Sequence, residues 1–195
     1  MNREIENCGT QFSDIFCLQE HFLLSSNDRK HSNLNKIRRA FGDNFDMYLV
    51  PAVKSNESVS RGRGIGGLCT MWRKELTKYV SKVESNHHRI QATKFSFPSA
   101  NLLLINSYFI CDPQTSFDDV KLYEILAEIR RIIEVAACEN VSLVGDLNCD
   151  FSRQTPFVQI IKEFCTEQDI QPIFSIPCYS GSGKVAQISH TFYRI

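Results

Sequence analysis

Short apolar runs bounded by polar residues recur along the chain, and they predict β-strands. The predicted strands cover residues 15–18, 48–53, 67–72, 90–97, 102–110, 141–144 and 186–193. Strands dominate the first half, and strands then alternate with helical segments. This order predicts an α/β (α+β) domain in which β-sheets are covered by helices.

Three segments carry apolar residues at helical spacing. The clearest begins at Ser116, where Ser-Phe-Asp-Asp matches a capping box, and ends near Glu139-Asn140. Its predicted buried positions are Val120, Tyr123, Leu126, Ile129, Ile133 and Ala136. A second helix has Thr155 as its cap and Pro156 in its first turn. Its predicted buried positions are Phe157, Ile160, Ile161 and Phe164, and a weaker helix holds Leu34, Ile37 and Phe41.

The composition is that of one globular domain. The chain has 195 residues, of which 43% are hydrophobic, and we expect a single domain over residues 1–195. Lys+Arg and Asp+Glu each number 22, so the formal net charge is zero. Binding to nucleic acid would therefore depend on a local basic patch.

The cysteines and the chain start bear on the cellular compartment. The 8 cysteines form no C-x-x-C pair, and several lie in apolar runs, which is typical of buried thiols in a reducing compartment. The first residues contain no apolar signal region, and no apolar run is long enough to span a membrane. We expect an intracellular protein, nuclear or cytoplasmic, without a membrane partner.

Polar residues stand where predicted strands end. Glu20 closes the run that begins at Ile15, Asp146 and Asn148 follow the run 141–144, and His190 lies in the terminal one. In α/β proteins ligands collect at one end of a sheet, and these residue types bind divalent metals and phosphates. The pattern indicates a candidate site.

Each of these residues also has an ordinary structural interpretation. Taken alone, Glu20 is best explained as a solvated glutamate at a strand end, and His190 as a structural histidine. Asp146 and Asn148 fit a catalytic pair and an Asx turn equally well. Tyr108, taken alone, is best explained as a strand aromatic.

A polar loop over residues 54–67 carries a deceptive glycine pattern. Residues 62–67 read GRGIGG and match G-x-G-x-x-G, but they lead into a strand rather than a helix, so they do not form a dinucleotide site. Arg61 and Arg63 in this loop suit phosphate binding, and a plain solubilising loop explains them equally well. His87 and His88 look like a solvated turn without a third zinc ligand.

Five segments in a fixed order carry a family resemblance. Residues 14–20, 64–68, 105–108, 145–148 and 187–190 read DIFCLQE, GIGGL, INSY, GDLN and QISH. In this order they resemble the endonuclease/exonuclease/phosphatase superfamily, most closely the endonuclease domain of non-LTR (LINE-type) retrotransposons. The resemblance implies a four-layer sandwich of two packed mixed β-sheets flanked by helices, with the active site at one edge.

The resemblance also implies roles for individual residues. Glu20 would bind Mg²⁺ or Mn²⁺, Tyr108 would contact the scissile phosphate, and Asp146 would activate water. Asn148 would orient that water, and His190 would stabilise the phosphate in the transition state. The implied reaction is metal-assisted hydrolysis of a phosphodiester, with DNA as the partner.

Two departures from the family pattern weaken the predicted activity. The family opens with a strand that carries an Asn beside the metal, and no such strand is recognisable before residue 10. The family's last motif reads Asp-His, whereas Ser189 precedes His190 here, and a hydroxyl is a poorer Mg²⁺ ligand than a carboxylate. We expect a retrotransposon-derived nuclease, truncated at its start and weakened, with a catalytically inactive relic that binds nucleic acid or protein as the alternative.

Overall fold

The computed structural model describes residues 14–23, 35, 37–39, 41–53, 66–111, 119–173, 178–179, 185–186 and 190–194. Within these residues, two β-sheets pack face to face. Arg61, Arg63, Ser189 and the predicted helix cap at Ser116 lie outside the described residues. The prediction of a missing first strand concerns residues that also lie outside them.

The first sheet has three strands in the order β1-β3-β2. These are β1 (Ile15–Gln19), β2 (Phe45–Val50) and β3 (Leu68–Arg73), and both pairs are antiparallel. One face packs Cys69 and Met71 against Ile37, which lies among the helical residues 35, 37–39 and 41. The opposite face contributes Trp72 to a cluster with residues of the second sheet. A short 3-10 helix, Lys74–Tyr79, follows β3.

The second sheet has six strands in the order β4-β5-β6-β7-β11-β8. The strands are β4 (Val80–Val83), β5 (Ile90–Ser96), β6 (Asn101–Tyr108), β7 (Asn140–Asp146), β8 (Gln171–Ile173) and β11 (His190–Arg194). The pair β6/β7 is parallel, and the other described pairs are antiparallel. A parallel pair needs a crossover connection, and a helix provides it here. A two-stranded ribbon joins β9 (Cys178–Tyr179) to β10 (Val185–Ala186).

Helices α1 (Val120–Ala136) and α2 (Pro156–Glu167) share the largest core cluster with the second sheet. Thr155 caps α2 as predicted, because its Oγ1 accepts a hydrogen bond of 3.3 Å from the Val158 N–H. The predicted burial of Val120 and Tyr123 is wrong, since they are 58% and 50% exposed. The predicted burial of Leu126, Ile129, Ile133 and Ala136 is confirmed, and Leu122, Ile125 and Ile132 complete the apolar part of the buried face.

The predicted layered architecture of two packed sheets with helices outside is confirmed. The pattern of apolar runs did not predict β4, β8 or β9, which are short. The six-stranded sheet is mixed, and the three-stranded sheet is antiparallel. Among the described residues, no helix is both long and apolar enough to cross a membrane.

Candidate active site

The ends of β6 and β7 lie side by side and bring two predicted site residues together. In the parallel register Tyr108 is paired with Asp146. Just beyond the strands, the Phe109 N–H donates to the Asp146 carbonyl at 2.8 Å. The backbone contact between the two strands therefore continues one residue beyond Tyr108.

The Tyr108 phenol links two more of the predicted residues. It hydrogen-bonds to both the Glu20 carboxylate and the Asn148 side chain. Burial, together with the hydrogen bond and charge of Glu20, raises the pKa of Tyr108 to about 12, while the Asn148 bond acts in the opposite direction. The raised pKa reflects the O–H bond that the phenol donates to the Glu20 carboxylate.

Asp146 and Asn148 form a tight turn after β7. The Asn148 N–H donates to Asp146 Oδ1 at 2.9 Å, and Asn148 Nδ2 donates to the Phe109 carbonyl at 2.9 Å. Asn148 has a φ of 49°, a left-handed conformation that asparagine adopts more readily than most residues. The predicted Asx turn is therefore present, and the same turn directs the Asn148 amide towards Tyr108.

Glu20 has a left-handed backbone with a φ of 54°. Such a conformation costs about 1 kcal/mol or more for a residue with a side chain, and it is often found at functional sites. The preceding residue is fixed from the other sheet, because Gln19 Nε2 donates to Asn106 Oδ1 at 2.6 Å. Glu20 therefore lies at the point where the first sheet meets the end of β6.

Asn106 is the centre of a polar network buried between the sheets. Its Nδ2 lies 3.3 Å from the carbonyl oxygens of both Leu18 and Cys69. Thr70 Oγ1 donates to Gln91 Oε1 at 2.6 Å, and this oxygen also lies 3.4 Å from Asn106 Nδ2. Sequence reasoning missed this network. The available signal was a pair of amide side chains, Gln91 and Asn106, inside otherwise apolar strands.

Arg89 is a further residue at the site that sequence reasoning missed. Its guanidinium carbon lies 5.1 Å from the centre of the Tyr108 ring, and its Nη1 lies 3.5 Å and 3.4 Å from the Tyr108 and Phe109 carbonyl oxygens. A cation over an aromatic ring is attracted to the ring face. Arg89 therefore contacts both the ring and the backbone of Tyr108, although nothing in the local sequence marks it.

His190 lies on β11, the neighbour of β7 on the side away from β6. Its backbone is paired with Gly145, the residue before Asp146. Gly145 has a φ of 131°, and a Cβ at this position would collide with the backbone of Ser107. Three adjacent strands thus present Tyr108, Asp146 and the His190 backbone at one end of the sheet.

The donor chemistry of this cluster fits Mg²⁺ rather than zinc. Mg²⁺ prefers oxygen ligands and is commonly bound through one or two carboxylates together with water and phosphate oxygens. Glu20 offers such a carboxylate, and its neighbours Tyr108 and Asn148 are oxygen-bearing side chains. In the part of the chain that the structure describes, no three His, Cys, Asp or Glu residues form a metal-binding group.

Comparison with known proteins identifies the fold. No family model and no curated protein matches the sequence. The structure is similar to the human Nocturnin catalytic domain, with a TM-score of 0.58, 14% identity, and coverage of 93% of this chain and 69% of that chain. It is also similar to the endonuclease domain of TRAS1, a telomere-specific non-LTR retrotransposon, with a TM-score of 0.57, 11% identity, and coverage of 94% and 74%.

A third similar structure is an endonuclease/exonuclease/phosphatase family protein from Leptotrichia buccalis, with a TM-score of 0.55, 12% identity, and coverage of 94% and 76%. Together these matches establish the class: the chain has an endonuclease/exonuclease/phosphatase-like fold. At these identities the likeness concerns the fold alone. The activity of this chain must therefore be argued from its own residues.

Proposed function

We propose that this chain is a Mg²⁺-dependent phosphodiester hydrolase that nicks DNA. We also propose that its activity is weak, because Ser189 stands at the position where the retrotransposon endonucleases carry Asp. The observation that supports this most strongly is the Tyr108 phenol, which bridges Glu20 and Asn148. A phosphodiester hydrolase needs a metal-binding carboxylate, a donor to the phosphate and a base for water within one small region. Glu20, Tyr108 and Asp146 have these chemical properties.

The proposed roles follow from the chemistry of each group. Mn²⁺ or Mg²⁺ bound at Glu20 supplies positive charge that stabilises the phosphate oxygens. The Tyr108 O–H donates to Glu20 in the free protein, and with the Glu20 carboxylate engaged by the metal it would be available to donate a hydrogen bond to a phosphate oxygen. Asp146 accepts the proton of the attacking water. Asn148 orients that water through its amide, and His190 stabilises the charged phosphate.

Nicking of supercoiled plasmid in the presence of Mg²⁺ tests this proposal. Asp146→Asn is the sharpest variant, because an amide oxygen can still accept the hydrogen bond from the Asn148 N–H while no carboxylate remains to take a proton. We expect the nicking rate to fall by about 10²-fold or more in this variant and in Glu20→Gln. Glu163→Gln, an exposed position on α2, is the matched control.

The outcome of the plasmid assay separates an enzyme from a contaminant. If the purified wild type and Asp146→Asn nick DNA at equal rates, the activity comes from another protein and the proposal is wrong. Chelation with EDTA should abolish the wild-type signal, and restoring Mg²⁺ should recover it. A nicking rate that does not depend on the Mg²⁺ concentration would also contradict the proposal.

One observation favours a second function, binding without catalysis. Asp146 Oδ1 already accepts the Asn148 N–H and Asn148 Nδ2 already donates to the Phe109 carbonyl, so these side chains also stabilise a turn. A chain that kept this turn for its structure alone would bind DNA or a protein and cleave nothing. Retention of labelled duplex DNA in a gel-shift assay, with no nicking at any Mg²⁺ or Mn²⁺ concentration, would favour that function.

Arg61 and Arg63 are proposed to contact the phosphates of the substrate. Arginine forms bidentate hydrogen bonds with phosphate, and each phosphate contact contributes to the salt dependence of binding. Replacing both with Gln should reduce the slope of log affinity against log salt concentration by about two units for duplex DNA. An unchanged slope would show that these arginines only solubilise the loop.

A further inference from the structure

The residue that follows Glu20 is fixed by both of its ring nitrogens. His21 Nε2 lies 3.0 Å from the Val50 carbonyl oxygen, and the Leu23 N–H donates to His21 Nδ1 at 3.0 Å. Because Nδ1 accepts, the ring proton lies on Nε2 and is donated to Val50. One imidazole thus connects the segment after β1 to the end of β2.

The His21 imidazole lies across the end of the first sheet. In the strand register Leu68 is paired with Gln19 on one side and with Val50 on the other, so β3 lies between the two strands that His21 connects. The ring crosses over Gly67, the residue immediately before Leu68. A Cβ at Gly67 would lie 2.7 Å from Nδ1 and 2.8 Å from Nε2 of His21, closer than any real Cβ contact. The absence of a side chain at this position is what makes room for the ring.

We propose that His21 is a positioning residue for Glu20: its ring connects β1 to β2 across Gly67 and thereby keeps the Glu20 carboxylate at the Tyr108 phenol. Gln19 is fixed to Asn106 on the other side, so Glu20 lies between two fixed neighbours. Its left-handed backbone, with a φ of 54°, needs such support from its surroundings. The catalytic consequence rests on the proposed function, whereas the positioning itself concerns only the fold.

Two backbone hydrogen bonds also fix the segment that follows β1, in addition to those of the His21 ring. The Phe22 N–H donates to the Gly66 carbonyl at 3.0 Å, and the Ala52 N–H donates to the Leu23 carbonyl at 2.9 Å. Both hydrogen bonds involve residues that follow Glu20 in the chain. Neither of them involves the Glu20 backbone. The bond from the Leu23 N–H requires the neutral ring, in which Nδ1 has a lone pair to accept it.

Two substitutions of His21 distinguish its hydrogen bonds from its volume. His21→Gln retains a donor for Val50 and an acceptor for Leu23, whereas His21→Phe fills the space over Gly67 without either. The readout is the ¹³Cζ resonance of Tyr108 at neutral pH in tyrosine-labelled protein, assigned by its loss in Tyr108→Phe. The same resonance in Glu20→Ala gives the value expected when the contact with the Glu20 side chain is lost.

We expect His21→Phe to move the Tyr108 resonance towards its value in Glu20→Ala, and His21→Gln to leave it near the wild-type value. In the plasmid assay His21→Phe should raise the half-saturating Mg²⁺ concentration by about tenfold, a typical effect of losing support for a metal ligand. Asp146→Asn should instead lower the maximal rate at an unchanged Mg²⁺ requirement. Direct Mn²⁺ binding measured by calorimetry should weaken in parallel with the Mg²⁺ requirement.

A pair of glycine substitutions tests the same idea without altering the histidine. Gly66 and Gly67 both have left-handed backbones, with φ of 72° and 95°, so Ala is strained at either position. A Cβ at Gly66 meets nothing within 4 Å, whereas a Cβ at Gly67 meets the His21 ring. Gly67→Ala should therefore shift the Tyr108 resonance, and Gly66→Ala should not.

The outcomes are distinct. If His21→Phe and Gly67→Ala leave the Tyr108 resonance unchanged in folded protein, the positioning role is wrong, whatever the activity. If the resonance moves but the wild type nicks no DNA, the positioning role stands and the proposed function fails. Should His21→Phe fail to fold, Gly67→Ala compared with Gly66→Ala decides the question by the same resonance.

Discussion

Gln19 and Asn106 are joined by a hydrogen bond of 2.6 Å that crosses from one sheet to the other. Gln19 precedes Glu20, and Asn106 lies two residues before Tyr108 on β6. The segment after β1 and the end of β6 therefore meet at two neighbouring contacts, Gln19 with Asn106 and Glu20 with Tyr108. The spacing of the site depends on how the two sheets pack.

Asn106→Ala should destabilise the protein by about 2–4 kcal/mol, because the Gln19 amide loses its acceptor and the Leu18 and Cys69 carbonyls lose a donor. Chemical denaturation followed by circular dichroism measures this change. Asn101→Ala, at an exposed position on the same strand, should change stability by less than about 0.5 kcal/mol. Equal effects of the two variants would show that the inter-sheet network contributes little.

Arg89→Met should lower the maximal nicking rate by about tenfold, because the Tyr108 and Phe109 carbonyls lose a donor and the Tyr108 ring loses its cation. The salt dependence of DNA binding should stay unchanged, since this role involves no phosphate. Arg130→Met is the matched control, because Arg130 lies over the Phe164 ring on the outer helices. A salt slope reduced by about one unit would instead show that Arg89 contacts DNA.

Glu128 gives a pH-dependent contribution to stability. The hydrogen bond from Arg131, aided by that from the Asn86 N–H, lowers the pKa of Glu128 from 4.5 to about 2 against the opposing effect of burial. A carboxyl group whose pKa is lower in the folded protein stabilises it above the unfolded value of 4.5, and this contribution is lost as the pH falls towards 2.

Glu128→Gln should therefore reduce stability by about 2 kcal/mol at pH 7, the size expected for hydrogen bonds to a charged group. The difference from wild type should shrink as the pH falls from about 4.5 to about 2. Thermal melts across this range measure it, with Glu134→Gln as the control, because Glu134 is exposed on the same helix. A difference that does not change with pH would contradict the role of the Glu128 charge.

Ser189→Asp should raise Mg²⁺-dependent nicking by about tenfold or more, because a carboxylate replaces a neutral hydroxyl beside His190. The position lies outside the described residues, and the expectation comes from the resemblance of residues 187–190 to the family's last motif. Ser189→Asn adds similar bulk without charge and should give no gain. Equal rates in all three proteins would contradict the explanation for weakened activity.

The local elements were largely predictable because their causes are local. Thr155 and Pro156 start α2 where expected, and the strands β1, β3, β5, β6 and β7 match apolar runs within a few residues. The buried face of α1 was predicted correctly at Leu126, Ile129, Ile133 and Ala136, and wrongly in its first turn. Val120 and Tyr123 are apolar and at helical spacing, yet which side of a helix is buried depends on the sheet against which it packs.

The sequence by itself determined the layered α/β class, the Thr155 cap of α2 and the chemical types of Glu20, Tyr108, Asp146 and Asn148, because apolar periodicity and functional groups are properties of short segments. Their order along the chain was enough to indicate a family resemblance. The tertiary structure decided that Glu20, Tyr108 and Asn148 touch, and it added Arg89, Asn106 and His21. These contacts join residues far apart in sequence. Strand pairing within a sheet places Arg89 and Asn148 at Tyr108 and His21 at Val50, whereas the packing of one sheet on the other brings Gln19 to Asn106 and Glu20 to Tyr108.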